Sequence, residues 1–88
     1  MSDVLVQHDE KRHRFWVDVD GLEAFLDYVP LGDDKLDYVR TFVPTELRGK
    51  GLADRIVKVA LEWADARGKE VIPSCWYVAK VLERRSGA

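Results

Sequence analysis

The sequence is poor in the features that mark several protein classes. It has a single cysteine among 88 residues, which excludes an internal disulfide framework and fits a reducing compartment. No apolar run approaches the roughly 20 residues that a membrane-spanning helix needs, and the first ten residues lack the basic-then-apolar order of a signal peptide. The formal charge is −2, so no basic field points to nucleic acid. These absences predict a cytoplasmic protein with neither a nucleic-acid nor a membrane partner.

Apolar side chains are abundant in the sequence. Hydrophobic residues make up 47 % of the chain and aromatic residues 10 %, which favours a packed core over disorder. The length allows one domain, residues 1–88, whose core is close to the smallest that folds without disulfides or bound metals. Neither repeats nor linkers interrupt it, and nothing in the pattern requires an oligomer, so we expect a monomer.

Alternating apolar and polar residues predict four antiparallel strands before any long helix. The strands cover residues 4–8, 13–19, 22–28 and 36–43. Asp20-Gly21 predicts a tight turn between the second and third strands. The turn formers of residues 30–34 predict the end of the third strand.

A helix over residues 51–67 is the strongest prediction, because its polar and apolar residues separate onto two faces. The solvated stripe contains Asp54, Lys58, Glu62 and Asp65, and the face predicted to pack on the sheet contains Leu52, Ile56, Val59, Ala60 and Trp63. Gly68 is expected to cap the C-terminus of this helix.

A fifth strand over residues 69–72 follows the helix and ends at Pro73. Because a helix separates it from the fourth strand, the two strands should be parallel. A second amphipathic helix over residues 76–85 completes the chain. The fold class is therefore α/β: a mixed, mainly antiparallel sheet in ββββαβα order with two helices.

The loop before the first helix, Arg48-Gly49-Lys50-Gly51-Leu52-Ala53, predicts an anion site. Its two glycines let the backbone turn sharply and expose N–H groups at the positive end of the helix dipole. The alternative is an ordinary glycine-rich helix start. A nucleotide-binding P-loop fits poorly, because its Gly-x-x-x-x-Gly-Lys-Ser/Thr pattern is absent.

This element order, with Arg48-x-x-Gly51-x-Ala53 opening the helix, resembles the Gcn5-related N-acetyltransferase (GNAT) superfamily. The superfamily motif is Arg or Gln, two residues, Gly, one residue, then Gly or Ala. The stretches TFVPTELRGKG, residues 41–51, and VIPSCWYV, residues 71–78, are similar to the small, stand-alone YjdJ-type branch. The resemblance covers essentially the whole chain. One departure is Arg40, where members of this branch often have a histidine.

The resemblance implies a binding site for acetyl-CoA or CoA and an activity that transfers acetyl to an amine of a small molecule or a protein. The amide groups of residues 49–53 would hold the pyrophosphate, with charged contacts from Arg48 and Lys50. The pantetheine arm would pair with the fourth strand at Thr41, Phe42 and Val43.

Cys75 and Tyr77 are the candidate catalytic residues. Cys75 lies near the start of the last helix, where a thiol pKa can be depressed; it either takes the acetyl group covalently or only lines the cleft. The resemblance implies that Tyr77 returns a proton to the leaving thiolate, the alternative being an interfacial packing role. No residue stands out as general base, although Glu23, Glu46 or a water chain could serve.

The remaining candidates point to packing. His8 and His13 lack a third ligand, so we expect no metal site, and Trp16, Trp63 and Trp76 are expected to pack rather than bind. Two other functions stay open: a non-catalytic CoA or acyl-CoA binding module, and a protein-interaction domain in which the loop at residues 48–53 is filled by its own side chains.

Overall fold

The computed structural model describes residues 5–86. Five strands form one sheet in the order β1-β2-β3-β4-β5. In chain order the elements are β1 (Gln7–Asp9), β2 (Arg14–Val19), β3 (Leu22–Leu31), β4 (Lys35–Phe42), α1 (Leu52–Ala66), β5 (Glu70–Ile72) and α2 (Trp76–Ser86). The first four strands are antiparallel neighbours and β5 is parallel to β4. The predicted ββββαβα order is confirmed.

Both helices pack on the same face of the sheet. Ile56 of α1 and Val78 of α2 belong to one buried cluster with Val17, Leu26 and Tyr38 from the strands. Inside this cluster the Tyr38 hydroxyl donates a 2.6 Å hydrogen bond to the carbonyl of residue 60. No helix among residues 5–86 is long and apolar enough to cross a membrane.

The opposite side of the sheet, which we name the outer face, carries Arg14, Phe25, Asp27, Asp37, Arg40 and Phe42. None of the elements in the described part of the chain covers it. Phe25 is nevertheless only 9 % exposed, because the Arg14 guanidinium lies 3.8 Å from its ring centroid. The protein is thus a two-layer structure with one solvated sheet face.

A bulge sets the directions of the side chains at the end of β4. Asp27 pairs with Arg40, but the next residue, Tyr28, pairs with Tyr38, so Val39 is an extra residue without a partner in β3. Because side chains alternate along a strand, the extra residue fixes which residues of 40–42 face the helices.

The third strand is longer than predicted. The predicted turn at residues 30–34 begins too early, because its first two residues belong to the strand. Pro30 and Leu31 belong to β3 and pair with Leu36 and Lys35. Proline is tolerated there because β2 has no residue opposite β3 beyond Asp27, which leaves a free edge.

Smaller corrections concern element ends. The first strand covers Gln7–Asp9 rather than residues 4–8, and residue 4 lies outside the described residues. Helix α1 begins and ends one residue inside the predicted range, while β4 and β5 each differ from prediction by a residue.

The predicted buried face of α1 was too narrow. Val57, Leu61 and Ala64 are fully buried beside the expected residues, whereas Val59 and Trp63 are only partly buried. Helix α1 contacts both the sheet and α2, so a wider stripe is covered. The predicted cap is confirmed: Gly68 has φ +66°, and its N–H donates to the Asp65 carbonyl at 3.1 Å.

Candidate functional site

A cleft of about 520 Å³ opens between the end of β4, the loop that precedes α1 and the start of α2. Eight predicted cofactor residues line it together with Tyr77: Thr41, Phe42, Val43, Arg48, Gly49, Gly51, Leu52 and Ala53. Lys50 and Cys75 are not among the lining residues. Leu47 and Trp76, which sequence reasoning did not assign to the site, complete the walls.

The loop before α1 presents a row of backbone N–H groups, residues 49–54, which we name the amide loop. Gly49 and Gly51 have φ of +81° and +75°, a conformation that glycine adopts without a steric cost. In the described part of the chain, the N–H groups of residues 49–54 donate no hydrogen bond to a backbone carbonyl. Since they stand at the positive end of the α1 dipole, they suit an anionic ligand.

The two basic residues of this loop differ in placement. Arg48 is fixed beside the cleft, because its Nε donates to the Val43 carbonyl at 3.1 Å. Its terminal nitrogens stay available for an anion. Lys50 is exposed and its side chain lies off the cleft wall.

One edge of β4 is unpaired where it borders the cleft. The parallel ladder with β5 ends at the pair Asp37 and Ile72, and Pro73 follows, which cannot donate to a ladder. One backbone hydrogen bond crosses this gap, from the Cys75 N–H to the Tyr38 carbonyl at 2.9 Å. Beyond it, residues 39–43 have no ladder partner among the described residues, although Cys75 engages the Thr41 N–H and Arg48 engages the Val43 carbonyl. The remaining groups offer an edge to which an extended ligand can add as a strand.

Cys75 lies under the cleft rather than in its wall. It is 8 % exposed, and its Sγ lies 3.5 Å from the Thr41 hydroxyl oxygen. Burial raises the pKa of the Cys75 thiol. Hydrogen bonds from the Thr41 side chain and from the backbone N–H groups of Val78, Tyr77 and Thr41 lower it by more, so the net pKa lies below its ordinary value. The sulfur therefore acts as an N-terminal cap for α2.

Tyr77 joins the cleft to α1. Its hydroxyl donates a 2.5 Å hydrogen bond to Asp54 Oδ1 in the first turn of α1, and Arg84 contacts the same oxygen at 3.2 Å. Burial and Asp54 raise the pKa of Tyr77 above its ordinary value, with Arg84 opposing them. The tyrosine is therefore protonated at neutral pH and can serve as a proton donor.

The expectation that Trp76 serves in packing is wrong. Its side chain is 71 % exposed and meets the Tyr77 ring edge-on, with centroids 5.7 Å apart. It begins α2 one residue after the buried Cys75, so its side chain points to the solvent side of the helix start. No periodicity signal could have shown this, since the first residue of a helix has no preceding turn against which to pack.

Asp37 is a titratable residue that sequence reasoning missed. It forms the last pair of the β4–β5 ladder, on the outer face, and its Oδ1 is buried without a hydrogen-bond partner among the described residues. A buried carboxylate oxygen without a partner is costly. The signal that could have found it is a carboxylate in β4 close to the predicted end of the paired region.

Neither histidine contributes to a metal cluster. His8 Nε2 lies 2.6 Å from the Tyr28 hydroxyl oxygen, and its ring stacks on Phe15 with centroids 3.9 Å apart. Residues 5–86 hold no group of three or more side chains placed to bind a metal ion. The amide loop borders an open cleft, whereas the interaction-domain alternative required the loop to be filled by the protein's own side chains.

The fold has a counterpart among solved structures. The chain has a GCN5-like acetyltransferase fold: it superposes on the solution NMR structure of a GCN5-like protein from Staphylococcus aureus with a TM-score of 0.73, at 24 % identity, over 99 % of this chain and 85 % of that one.

The sequence comparisons show the family. A model described as GCN5-related N-acetyl-transferase matches residues 14–87. Protein NATD1 of Xenopus tropicalis is 32 % identical over 84 residues, which is 93 % of this chain and 77 % of that protein. Protein NATD1 of Homo sapiens is 32 % identical over 82 residues, covering 91 % and 73 %. The chain belongs to the GCN5-related N-acetyltransferase family, and the predicted resemblance is confirmed.

Proposed function

We propose that this protein binds acetyl-CoA in the cleft and transfers its acetyl group to an amine. The observation that carries the proposal is the meeting of the amide loop and the unpaired β4 edge in one cleft. The first suits the pyrophosphate of the cofactor and the second suits its two amide groups. The residues present therefore fit the cofactor, with Arg48 as an added cation at the phosphate end.

Bound acetyl-CoA supplies a thioester whose carbonyl carbon an amine attacks, forming a C–N bond as the C–S bond breaks. The amine must lose a proton and the leaving sulfur must gain one. We assign the first role to the half-buried carboxylate of Asp37, and the second to Tyr77, whose hydroxyl is protonated at neutral pH. Residues 39–43 orient the cofactor through the backbone groups that Cys75 and Arg48 leave unengaged.

The direct test follows acetyl-CoA binding and thiol release together. Labelled protein is titrated with acetyl-CoA while backbone amide NMR shifts are recorded, and free thiol is measured with a panel of amines. Shifts concentrated at residues 49–53 and near Thr41, with amine-dependent thiol release, are the expected result. An absence of shifts at millimolar acetyl-CoA would refute the proposal.

A non-catalytic acyl-CoA binding module is the second candidate. The Tyr77 hydroxyl favours it, because that group is already engaged with Asp54 at 2.5 Å and must leave this partner to serve a sulfur atom. The same titration separates the two functions: the module gives the amide shifts without thiol release for any amine in the panel.

Replacing Cys75 with alanine is expected to leave acetyl transfer within about threefold of wild type. The sulfur is buried and engaged with Thr41 and the first N–H groups of α2. It does not line the cleft, as one sequence-based alternative expected, and its burial also disfavours the covalent role. Loss of the cap should lower the free energy of unfolding by about 1 kcal/mol. Rates and urea melts check both parts; a loss of turnover in a folded variant would establish the covalent route.

A further inference from the structure

Arg40 carries a guanidinium that lacks a carboxylate partner among the described residues. The acid directly opposite it is Asp27, but Asp27 is already bound by Arg14, with nitrogen–oxygen distances of 2.6 and 3.0 Å. Arg14 also reaches Glu23 at 3.1 Å. The neighbouring acids are thus engaged by another arginine, and the charge of Arg40 remains uncompensated within the described sheet.

Aromatic rings hold this guanidinium in place. Its central carbon lies 5.4 Å from the ring centroid of Phe25 and 5.9 Å from that of Phe42. The guanidinium is exposed and within cation–π range of both rings, so its N–H groups can form a two-point hydrogen bond to a carboxylate or phosphate. Phe42 is also a wall of the cleft, so one aromatic ring separates the cation from the cofactor site.

The outer face is the open route to the point where β4 and β5 separate. Both helices cover the other face, whereas no described element covers this one. Asp37 stands at the separation point, and its half-buried carboxylate is the group to which we assigned the amine proton. Arg40 lies three residues further along β4 on the same face, about 10 Å away at the rise of a strand.

We propose that the acceptor is a small primary amine that also carries a carboxylate or phosphate, and that Arg40 selects it. The proposal rests on the proposed function. The amine lies at Asp37 and the oxyanion at Arg40, a separation that a few carbon atoms span. A second positive charge on the acceptor would be repelled by the unpaired guanidinium. Arg40 is therefore a specificity-determining residue.

The kinetic test uses acceptors that differ only in the anion. γ-Aminobutyrate is compared with its methyl ester, and phosphoethanolamine with ethanolamine. Comparing the two pairs also shows whether a carboxylate or a phosphate is the preferred anion. Wild type should prefer the anionic member by about tenfold or more in kcat/KM. Arg40→Gln should remove that preference while changing the neutral acceptor less than twofold, and Arg40→Glu should invert it. Lys58→Gln, an exposed cation on α1 away from the outer face, is the matched control and should retain the preference.

A binding experiment keeps the result independent of turnover. The Arg40 side-chain Nε–H resonance is followed while each amine is added to the CoA-saturated protein and to the free protein. A shift with γ-aminobutyrate or phosphoethanolamine, absent with the uncharged partners, is the expected result. Equal rates and shifts for charged and uncharged amines, or an equal loss for both in Arg40→Gln, would overturn the inference. Failure of the proposed function is distinct, since it appears as missing acetyl-CoA shifts in residues 49–53.

Discussion

Replacing Ala53 with glutamate is expected to weaken acetyl-CoA binding about 100-fold or more without destabilising the protein. Ala53 lies in the first turn of α1 and lines the cleft. A carboxylate there would face the phosphates, and two like charges about 4 Å apart repel by about 4 kcal/mol at an effective dielectric constant near 20. The same carboxylate interacts favourably with the helix N-terminus, by about 0.3–1 kcal/mol.

The opposite signs of these two effects make the experiment informative. Isothermal titration calorimetry measures the affinity and thermal melts measure the stability of the same sample. Ala66→Glu is the matched control: Ala66 is the last residue of α1 and is exposed, so its carboxylate meets the unfavourable end of the dipole. That variant should bind acetyl-CoA normally and melt slightly lower. Unchanged binding in Ala53→Glu would mean that the phosphates do not lie on the amide loop.

Replacing Asp37 with asparagine is expected to lower kcat by about 100-fold or more, the usual contribution of a general base. Asparagine keeps the size of the side chain but cannot accept the amine proton. Because the proposed cofactor contacts lie at residues 41–53, the affinity for acetyl-CoA should stay within about twofold of wild type. Steady-state rates at saturating acetyl-CoA, together with the titration used for Ala53→Glu, measure both quantities.

Asp34→Asn is the appropriate control for this variant. Asp34 is an exposed residue of the turn before β4, so it removes a carboxylate near the same strand without touching the cleft. It should turn over at the wild-type rate. If Asp37→Asn also retains wild-type turnover, the amine loses its proton to water and the partnerless oxygen of Asp37 has no catalytic role.

The cofactor end of the site was largely predictable from sequence because it consists of consecutive residues. Glycines 49 and 51 require positive φ values at a helix start, and the pattern of residues 48–53 already contains that information. Eight of the nine predicted cofactor residues line the cleft. Lys50 does not, since the sharp turn between two left-handed glycines directs its side chain to solvent.

The acceptor end was not predictable, because it depends on residues brought together across strands. Asp37 looks like an ordinary surface charge in a strand pattern, and the sequence marks Arg40 only as a departure from a histidine common in the branch. The lack of a carboxylate partner for Arg40 depends on the pairing of Arg14 with Asp27, from two other strands, and on a bulge at residue 39 that no local signal announces. Burial of one Asp37 oxygen likewise depends on where β5 stops.

The sequence by itself determined the order of elements, the α/β class and the position of the amide loop, because hydrophobic periodicity and glycine placement are local properties of the chain. Tertiary structure alone decided the breadth of the buried face of α1, the exposure of Trp76, the capping of α2 by Cys75 and the engagement of Tyr77 with Asp54. Each of these depends on the distance between residues far apart in the chain, which packing fixes and local pattern does not encode.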